Sequence, residues 1–229
     1  MPQIKPLLVR FAAAMKPVHI LDQNLRKRGQ IFERAYSSRA WGSDESRSGK
    51  GSELQATQNL RAYLPNLFRR LKIKTVLDAP CGDWNWMRMV DLSSVEYIGV
   101  DVVSSVTAEN SRKYAGEKVR FIQADLTKDR LPQADLVICR DCWIHLSYQD
   151  IAAMLDNFRE TGATWLLVSD SPAVESNVNK LTGLGWRHLN LALEPFSFPP
   201  AEERHKDHYD HVPFQISLWR MRNLPTIGV

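Results

Sequence analysis

Cysteine is scarce in this chain of 229 residues, with only Cys81, Cys139 and Cys142 present. An odd, low count excludes a disulfide framework and points to a reducing compartment, so the expected location is cytoplasmic. Cys139-x-x-Cys142 has no second pair to complete a zinc site, and no metal is expected. Long apolar runs are missing too. No stretch approaches the ~18 residues of a membrane span. Residues 7–15 are interrupted by Arg10 and lack a cleavage site, so they read as an amphipathic helix and not a signal peptide. No Gly-x-Gly-x-x-Gly follows a strand, which disfavours a nicotinamide cofactor. Gly49-Lys50-Gly51-Ser52 lacks the leading glycine of a phosphate loop, because Asp44 stands there.

What is present suffices for a folded core: 44% of residues are hydrophobic and 24% charged, with a formal net charge of +4. The positive excess is concentrated early. Lys5, Arg10, Lys16, Arg26, Lys27, Arg28, Arg34 and Arg39 face only Asp22 and Glu33. This is either a solvated helical face or a patch for an acidic partner, peripheral membrane contact included.

Two parts are expected: residues 1–51, a helical extension with a glycine- and serine-rich loop, and residues 52–229, the main domain. Ser52 and Gln55 form a capping-box pattern ahead of a helix whose buried face is Leu60, Tyr63, Leu64, Leu67 and Leu71. Strand-like runs then alternate with helical ones: 73–79, 95–100, 119–124, 134–139 and 164–169. Ser147 and Asp150 suggest the cap of a helix that buries Ile151, Met154, Leu155 and Phe158. The last two strands are expected at 187–191 and 214–220, antiparallel, joined by a loop that serves as a substrate lid. The fold class is α/β: a Rossmann-like, mostly parallel sheet of seven strands with a terminal antiparallel pair, behind an N-terminal helical extension.

Three acidic residues end successive strands. Asp78 opens the turn Ala79-Pro80-Cys81-Gly82-Asp83-Trp84, which is expected to lead into a helix. Asp101 closes Tyr97-Ile-Gly-Val, and Asp125 follows Phe121-Ile-Gln-Ala. In an open α/β sheet the carboxyl ends of the strands hold the ligand, and a carboxylate after the second strand accepts ribose hydroxyls. These motifs resemble those of the class I S-adenosylmethionine-dependent methyltransferases, over roughly residues 52–220. The resemblance implies S-adenosyl-L-methionine as cofactor. Asp78, Ala79, Cys81 and Gly82 would surround its methionine half, Asp101 and Val102 its ribose, and Asp125 with Leu126 its adenine. Trp41, Ser52 and Arg140 are counted with them. The family pattern acidic-x-Gly-x-Gly-x-Gly is reduced here to Gly82, with Pro80 and Trp84 at the other glycine positions.

Methyl transfer needs donor and acceptor aligned, and often a base. His145 is the general-base candidate, with a capping or packing role as the alternative, and Asp141 would orient it or bind a substrate hydroxyl. Asp141 with Asp170, and His205 with His208 and His211, offer cation sites as less favoured alternatives. Trp84 and Trp86 are either stacking surface for a ring or helix packing. The motifs of base-amine and cytosine methylation are absent, so nucleic acid is an unlikely acceptor. Trp41-Gly42, Ser48-Gly49, Pro80-Cys81-Gly82-Asp83, Arg140-Asp141 and His145-Leu146-Ser147 are further similar to a bacterial methyltransferase group linked to cell-surface polysaccharide synthesis. That narrower likeness implies O-methylation of a saccharide hydroxyl. A small-molecule acceptor is the runner-up, and a non-catalytic S-adenosylmethionine-binding protein is the reading from another class. The sequence leaves the oligomeric state open.

Overall fold

The computed structural model describes residues 17–209 and 213–229. The expected helix at 7–15 and His211 lie outside the described residues. Chain order is α1 (Pro17–Ser38), α2 (Gln58–Arg70), β1 (Thr75–Asp78), β2 (Glu96–Asp101), α3 (Ser104–Tyr114), β3 (Val119–Gln123), β4 (Leu136–Cys139), α4 (Tyr148–Glu160), β5 (Trp165–Asp170), β6 (Glu203–Tyr209) and β7 (Pro213–Arg220). The sheet has seven strands in the order β3-β2-β1-β4-β5-β7-β6. Neighbours from β3 to β5 pair in parallel, while β5–β7 and β7–β6 are antiparallel.

Strands β4 and β5 are buried along their whole length, as a parallel sheet covered on both faces requires. Alternate residues feed two cores. Leu77, Val137, Val168 and Leu166 pack with Ile151, Leu155 and Phe158 of α4. Val76, Ile138 and Leu167 pack with Leu60, Leu64 and Leu67 of α2. Burying each such side chain stabilises the fold by about 1.5–3 kcal/mol. Ser147 caps α4 through its hydroxyl, which accepts from the Asp150 amide at 3.2 Å.

Three expectations fail. Helix α2 begins at Gln58 behind Thr57, without a side-chain cap. Ser52 instead ends a short 3-10 turn, Lys50–Ser52, so the capping box does not form. The turn after β1 leads into a three-residue 3-10 helix, Met87–Met89, and not an α-helix. Trp84 adopts a left-handed φ of 58° there and buries its ring among Tyr97, Tyr114 and Phe121. No helix dipole therefore aims at this turn. Finally, residues 187–191 form no strand. The edge strand is β6, inside the segment expected to be a lid.

β6 escaped detection because its anchoring residues are polar. Glu203 accepts hydrogen bonds from Tyr63 and Arg70 of α2, His205 stacks on Tyr63 at 4.3 Å, and Asp207 pairs with buried Arg140. An inward face held by ion pairs and ring stacking carries no hydrophobic alternation.

Candidate active site

A cavity of about 720 Å³ opens at the carboxyl edge of the sheet. That volume lies in the range of small-molecule and cofactor sites. The ends of β1, β2 and β4, the turn after β3, the loop 48–53 and helix α1 all contribute to its wall.

Asp78, Asp101 and Asp125 share this wall. Asp78 is buried and accepts a 2.5 Å hydrogen bond from the Tyr97 hydroxyl. Burial pushes its carboxyl up to about 7, against the opposing effect of Tyr97 and Arg140. Asp101 accepts from the Gly82 amide at 3.1 Å and the Val103 amide at 3.0 Å. Burial raises it to about 6, with those amides pulling the other way. A carboxylate offers about four lone-pair sites. The amides Asp101 accepts from leave lone-pair capacity for further donors.

Asp125 is engaged differently. Its Oδ1 accepts from the amide and hydroxyl of Thr127, and its Oδ2 forms an ion pair with Arg28 of α1 at 3.2 Å. Arg28 also reaches Asp150 at 2.8 Å and the Thr127 hydroxyl at 2.8 Å. Phe32 and Tyr36 follow on the same helical face and line the cavity. The sequence reading missed all three. Arg28 is indistinguishable within Arg26-Lys27-Arg28, but the i, i+4, i+8 spacing of Arg28, Phe32 and Tyr36 was a readable stripe.

The serine-rich loop is bound tightly to the turn after β1. Asp83 accepts from the Ser46 and Ser48 hydroxyls, both at 3.0 Å, and from the Arg47 amide at 2.7 Å. The Ser48 hydroxyl in turn accepts from the Asp83 amide at 3.0 Å and meets the Tyr36 hydroxyl at 2.8 Å. Gly82 sits beneath this knot with φ 55°, and a Cβ there would stand 2.4 Å from Ser48 Oγ. Only glycine permits this close approach of loop to turn.

Arg140 is buried and donates to Asp207 at 2.8 and 3.1 Å and to the Gly51 carbonyl at 2.8 Å. It also pairs with Asp141 at 3.1 Å and lies over the Trp86 ring at 5.5 Å. Asp141 has a left-handed φ of 50°, and the Ser169 hydroxyl accepts from its amide and donates to its carboxylate. Such strained backbone beside a cavity is a common mark of functional positions.

His145 lies on the wall, its ring 5.7 Å from that of Trp41. Its Nδ1 is 3.1 Å from the Gly185 carbonyl. A carbonyl only accepts, so Nδ1 carries the proton and Nε2 keeps its lone pair. Burial lowers the pKa of the imidazole, opposed by that carbonyl and by Asp141. The neutral tautomer with a basic Nε2 is the form a general base needs. Gly185, and not Asp141, holds Nδ1.

Of the other expected residues, Trp41, Ser52, Cys81, Gly82, Val102 and Leu126 line the cavity. Ala79 does not. It is fully buried, its amide donates to the Ile138 carbonyl at 2.9 Å, and it serves the β1–β4 pairing. The Cys81 thiol is pushed well up by burial and by Asp101, so it stays protonated. Trp86 lines the cavity and Trp84 packs the core. Asp170 points away, accepting from the Leu191 amide and the Ser217 hydroxyl. Among the described residues no cluster of metal-ligating side chains occurs. Lys50, Glu53, Trp186 and Phe214 also line the cavity.

Residues 76–161 match the family model described as a methyltransferase domain. No curated protein sequence matches the chain. Solved structures resemble its fold at low identity. Magnesium protoporphyrin IX methyltransferase from Synechocystis PCC 6803, with bound S-adenosylhomocysteine, is 14% identical with a TM-score of 0.60, over 85% of this chain and 98% of that one. The 1,6-didemethyltoxoflavin-N1-methyltransferase of Burkholderia thailandensis is 15% identical with a TM-score of 0.54, over 94% and 93%. Human N-acetylserotonin methyltransferase is 15% identical with a TM-score of 0.53, over 91% of this chain and 60% of that one. The Rossmann-like sheet with its antiparallel terminal pair is therefore the methyltransferase fold, and these proteins were crystallised with S-adenosylmethionine or S-adenosylhomocysteine.

Proposed function

We propose that this protein transfers a methyl group from S-adenosylmethionine to a hydroxyl of a small polar acceptor, a saccharide above all. One observation carries the reading: Asp78, Asp101 and Asp125 end or follow successive strands on one cavity wall, and His145 stands on the same wall in its basic tautomer. When bound, the cofactor supplies an electrophilic methyl on a sulfonium.

The chain's own residues do the rest. Asp101 accepts the ribose hydroxyls. Gly82 and the Ser48–Glu53 loop admit the methionine half closely, and buried Arg140 contributes positive charge beside it. Leu126 and Val102 flank the adenosyl moiety. Nε2 of His145 takes the proton of the acceptor hydroxyl as the oxygen attacks. Asp141, held by Arg140 and Ser169, is placed to orient that hydroxyl. Trp86, Trp186 and Phe214 add ring surface, and Lys50 and Glu53 add polar partners. Aromatic planes with scattered polar groups suit a sugar. Helix α1 and the loop before α2 belong functionally to this site. The free cysteines support a cytoplasmic location.

Titration calorimetry with S-adenosylhomocysteine, followed by a methyl-release assay over glycans and small metabolites, tests the reading. Binding with turnover on a glycan hydroxyl supports it. Turnover only on a small aromatic acceptor replaces the saccharide. Binding without turnover on any acceptor makes the chain a cofactor-binding protein without catalysis.

A further inference from the structure

The connection from β5 to β6, residues 171–202, has no helix or strand. Its middle exposes apolar side chains in a way the rest of the surface does not. Among the described residues six large hydrophobics are exposed, and four stand within 178–186: Val178 at 66%, Leu181 at 90%, Leu184 at 41% and Trp186 at 48%. Clustered exposure of this kind marks an interaction site.

The loop is not loose. Gly183 donates its amide to the His145 carbonyl at 3.0 Å, and the amides of Ser147 and Tyr148 donate to Thr182 and Asn179 at 2.9 Å. Arg187 ties its base, donating to the carbonyls of Trp143 and Ile144 at 2.9 Å and of Val178 at 3.0 Å. The apolar side chains are thus presented by a braced scaffold.

The charge beneath them is one-sided. Residues 176–193 contain Lys180 and Arg187 and no acid. Lys180 and Arg187 meet backbone carbonyls and a ring face, with no carboxylate among their partners. Lys180 Nζ lies 2.6 Å from the Gly185 carbonyl, Arg187 lies over the Tyr148 ring at 5.5 Å, and Arg187 Nη2 is buried with no hydrogen bond. Asp150 is engaged by Arg28 and Thr182 and Asp141 by Arg140, while Glu175 and Glu194 flank the segment. An apolar tip beside Lys180 and Arg187, with a tryptophan at its margin, matches the interface of an anionic bilayer.

We propose that residues 178–186 seat the protein on an anionic lipid surface, with Leu181 and Leu184 entering among the headgroups. Trp186 lines the cavity and Gly185 holds His145, so the seat lies beside the acceptor end of the site. Docking itself does not depend on methyl transfer. No helix among the described residues is long and apolar enough to cross a membrane, so the association would be peripheral.

Flotation of the full chain with phosphatidylglycerol–phosphatidylcholine vesicles, against pure phosphatidylcholine, tests this. The protein is expected to float with the anionic vesicles, less so at high salt. L181D and the double variant L181S/L184S should lose about tenfold or more in vesicle affinity while keeping S-adenosylhomocysteine binding, which reports the fold. A wild type that stays with the soluble fraction overturns the proposal. So does vesicle binding that both variants retain, which would move the contact elsewhere on the chain. Concentration-dependent self-association abolished by L181D, without flotation, would assign the loop to a second copy instead.

Discussion

Gly82→Ala offers the sharpest test of how the cofactor turn is built. Two separable costs arise. The left-handed φ of 55° disfavours a side chain by about 1–2 kcal/mol. The new methyl would also stand 2.4 Å from Ser48 Oγ and 3.0 Å from the Tyr36 hydroxyl. Ser48 cannot swing aside freely, because its hydroxyl joins Asp83 and Tyr36. Each hydrogen bond given up costs about 0.5–1.5 kcal/mol, and losing two brings the total to about 3 kcal/mol. For a chain of this size that lowers Tm by roughly 6–12 °C. Gly162→Ala is the control: its φ is 72° with nothing within 4 Å of the added carbon, so only the backbone cost of about 1–2 kcal/mol applies. Denaturant unfolding reads both, and calorimetry with S-adenosylhomocysteine reads the turn. G82A should be the less stable of the two and bind more weakly. Equal stabilities and an undiminished affinity in G82A would refute the close-approach argument.

Further outcomes concern the proposed roles. His145→Ala should retain S-adenosylhomocysteine affinity and lose about 10²–10⁴-fold in kcat; full activity removes His145 from the mechanism. Asp101→Ala should weaken S-adenosylhomocysteine binding, and an unchanged dissociation constant defeats the ribose assignment. In the wild type Asp101 stands raised to about 6, so ribose hydroxyls donating to its anion should release a proton on binding. Calorimetry in buffers of different ionisation enthalpy should show that release near pH 6, with affinity rising as pH rises through it. Because the folded-state values of Asp78 and Asp101 are raised to about 7 and about 6, their contribution to stability is complete below the unfolded value and is lost as pH rises through those values. Lys180→Met removes the cation that shares the Gly185 carbonyl with His145 and helps lower the imidazole. The His145 titration, read by NMR, and the acid limb of kcat/KM should both move to higher pH; an unmoved titration separates Lys180 from His145.

The sheet was legible where burial is apolar. β1 to β5 and β7 fall within a few residues of their sequence patterns, because each strand feeds hydrophobic side chains to α2 or α4. Strand-end Asp78, Asp101 and Asp125 could be placed because parallel strands deliver their carboxyl ends to one edge. The failures share a cause. β6 replaces hydrophobic alternation with Glu203, His205 and Asp207 bound to polar or aromatic partners. Ser52 and Gln55 mimic a cap, but Asn85 and the loop's own turn draw Ser52 into the site, donating to its carbonyl at 3.0 Å. Arg28 belongs to the cavity through a partner, Asp125, that lies 97 positions away. Pairings of that range leave no local period to read.

The same polar contacts explain how a turn without the full glycine set of the methyltransferases it resembles can still be rigid. With Pro80 and Trp84 at two glycine positions and no α-helix behind it, the segment loses both conformational freedom and a helix dipole. Asp83 compensates by gathering the Ser46 and Ser48 hydroxyls and the Arg47 amide onto one carboxylate. Arg140 holds the far end of the same loop through Gly51 and clamps it to β6 through Asp207. Loop, turn and edge strand are thereby fixed relative to one another before any ligand arrives. Charge-assisted hydrogen bonds in a partly dry site are strong and directional. A wall fixed in this way needs little reorganisation when charge shifts during a displacement, which is where preorganised polar groups contribute most.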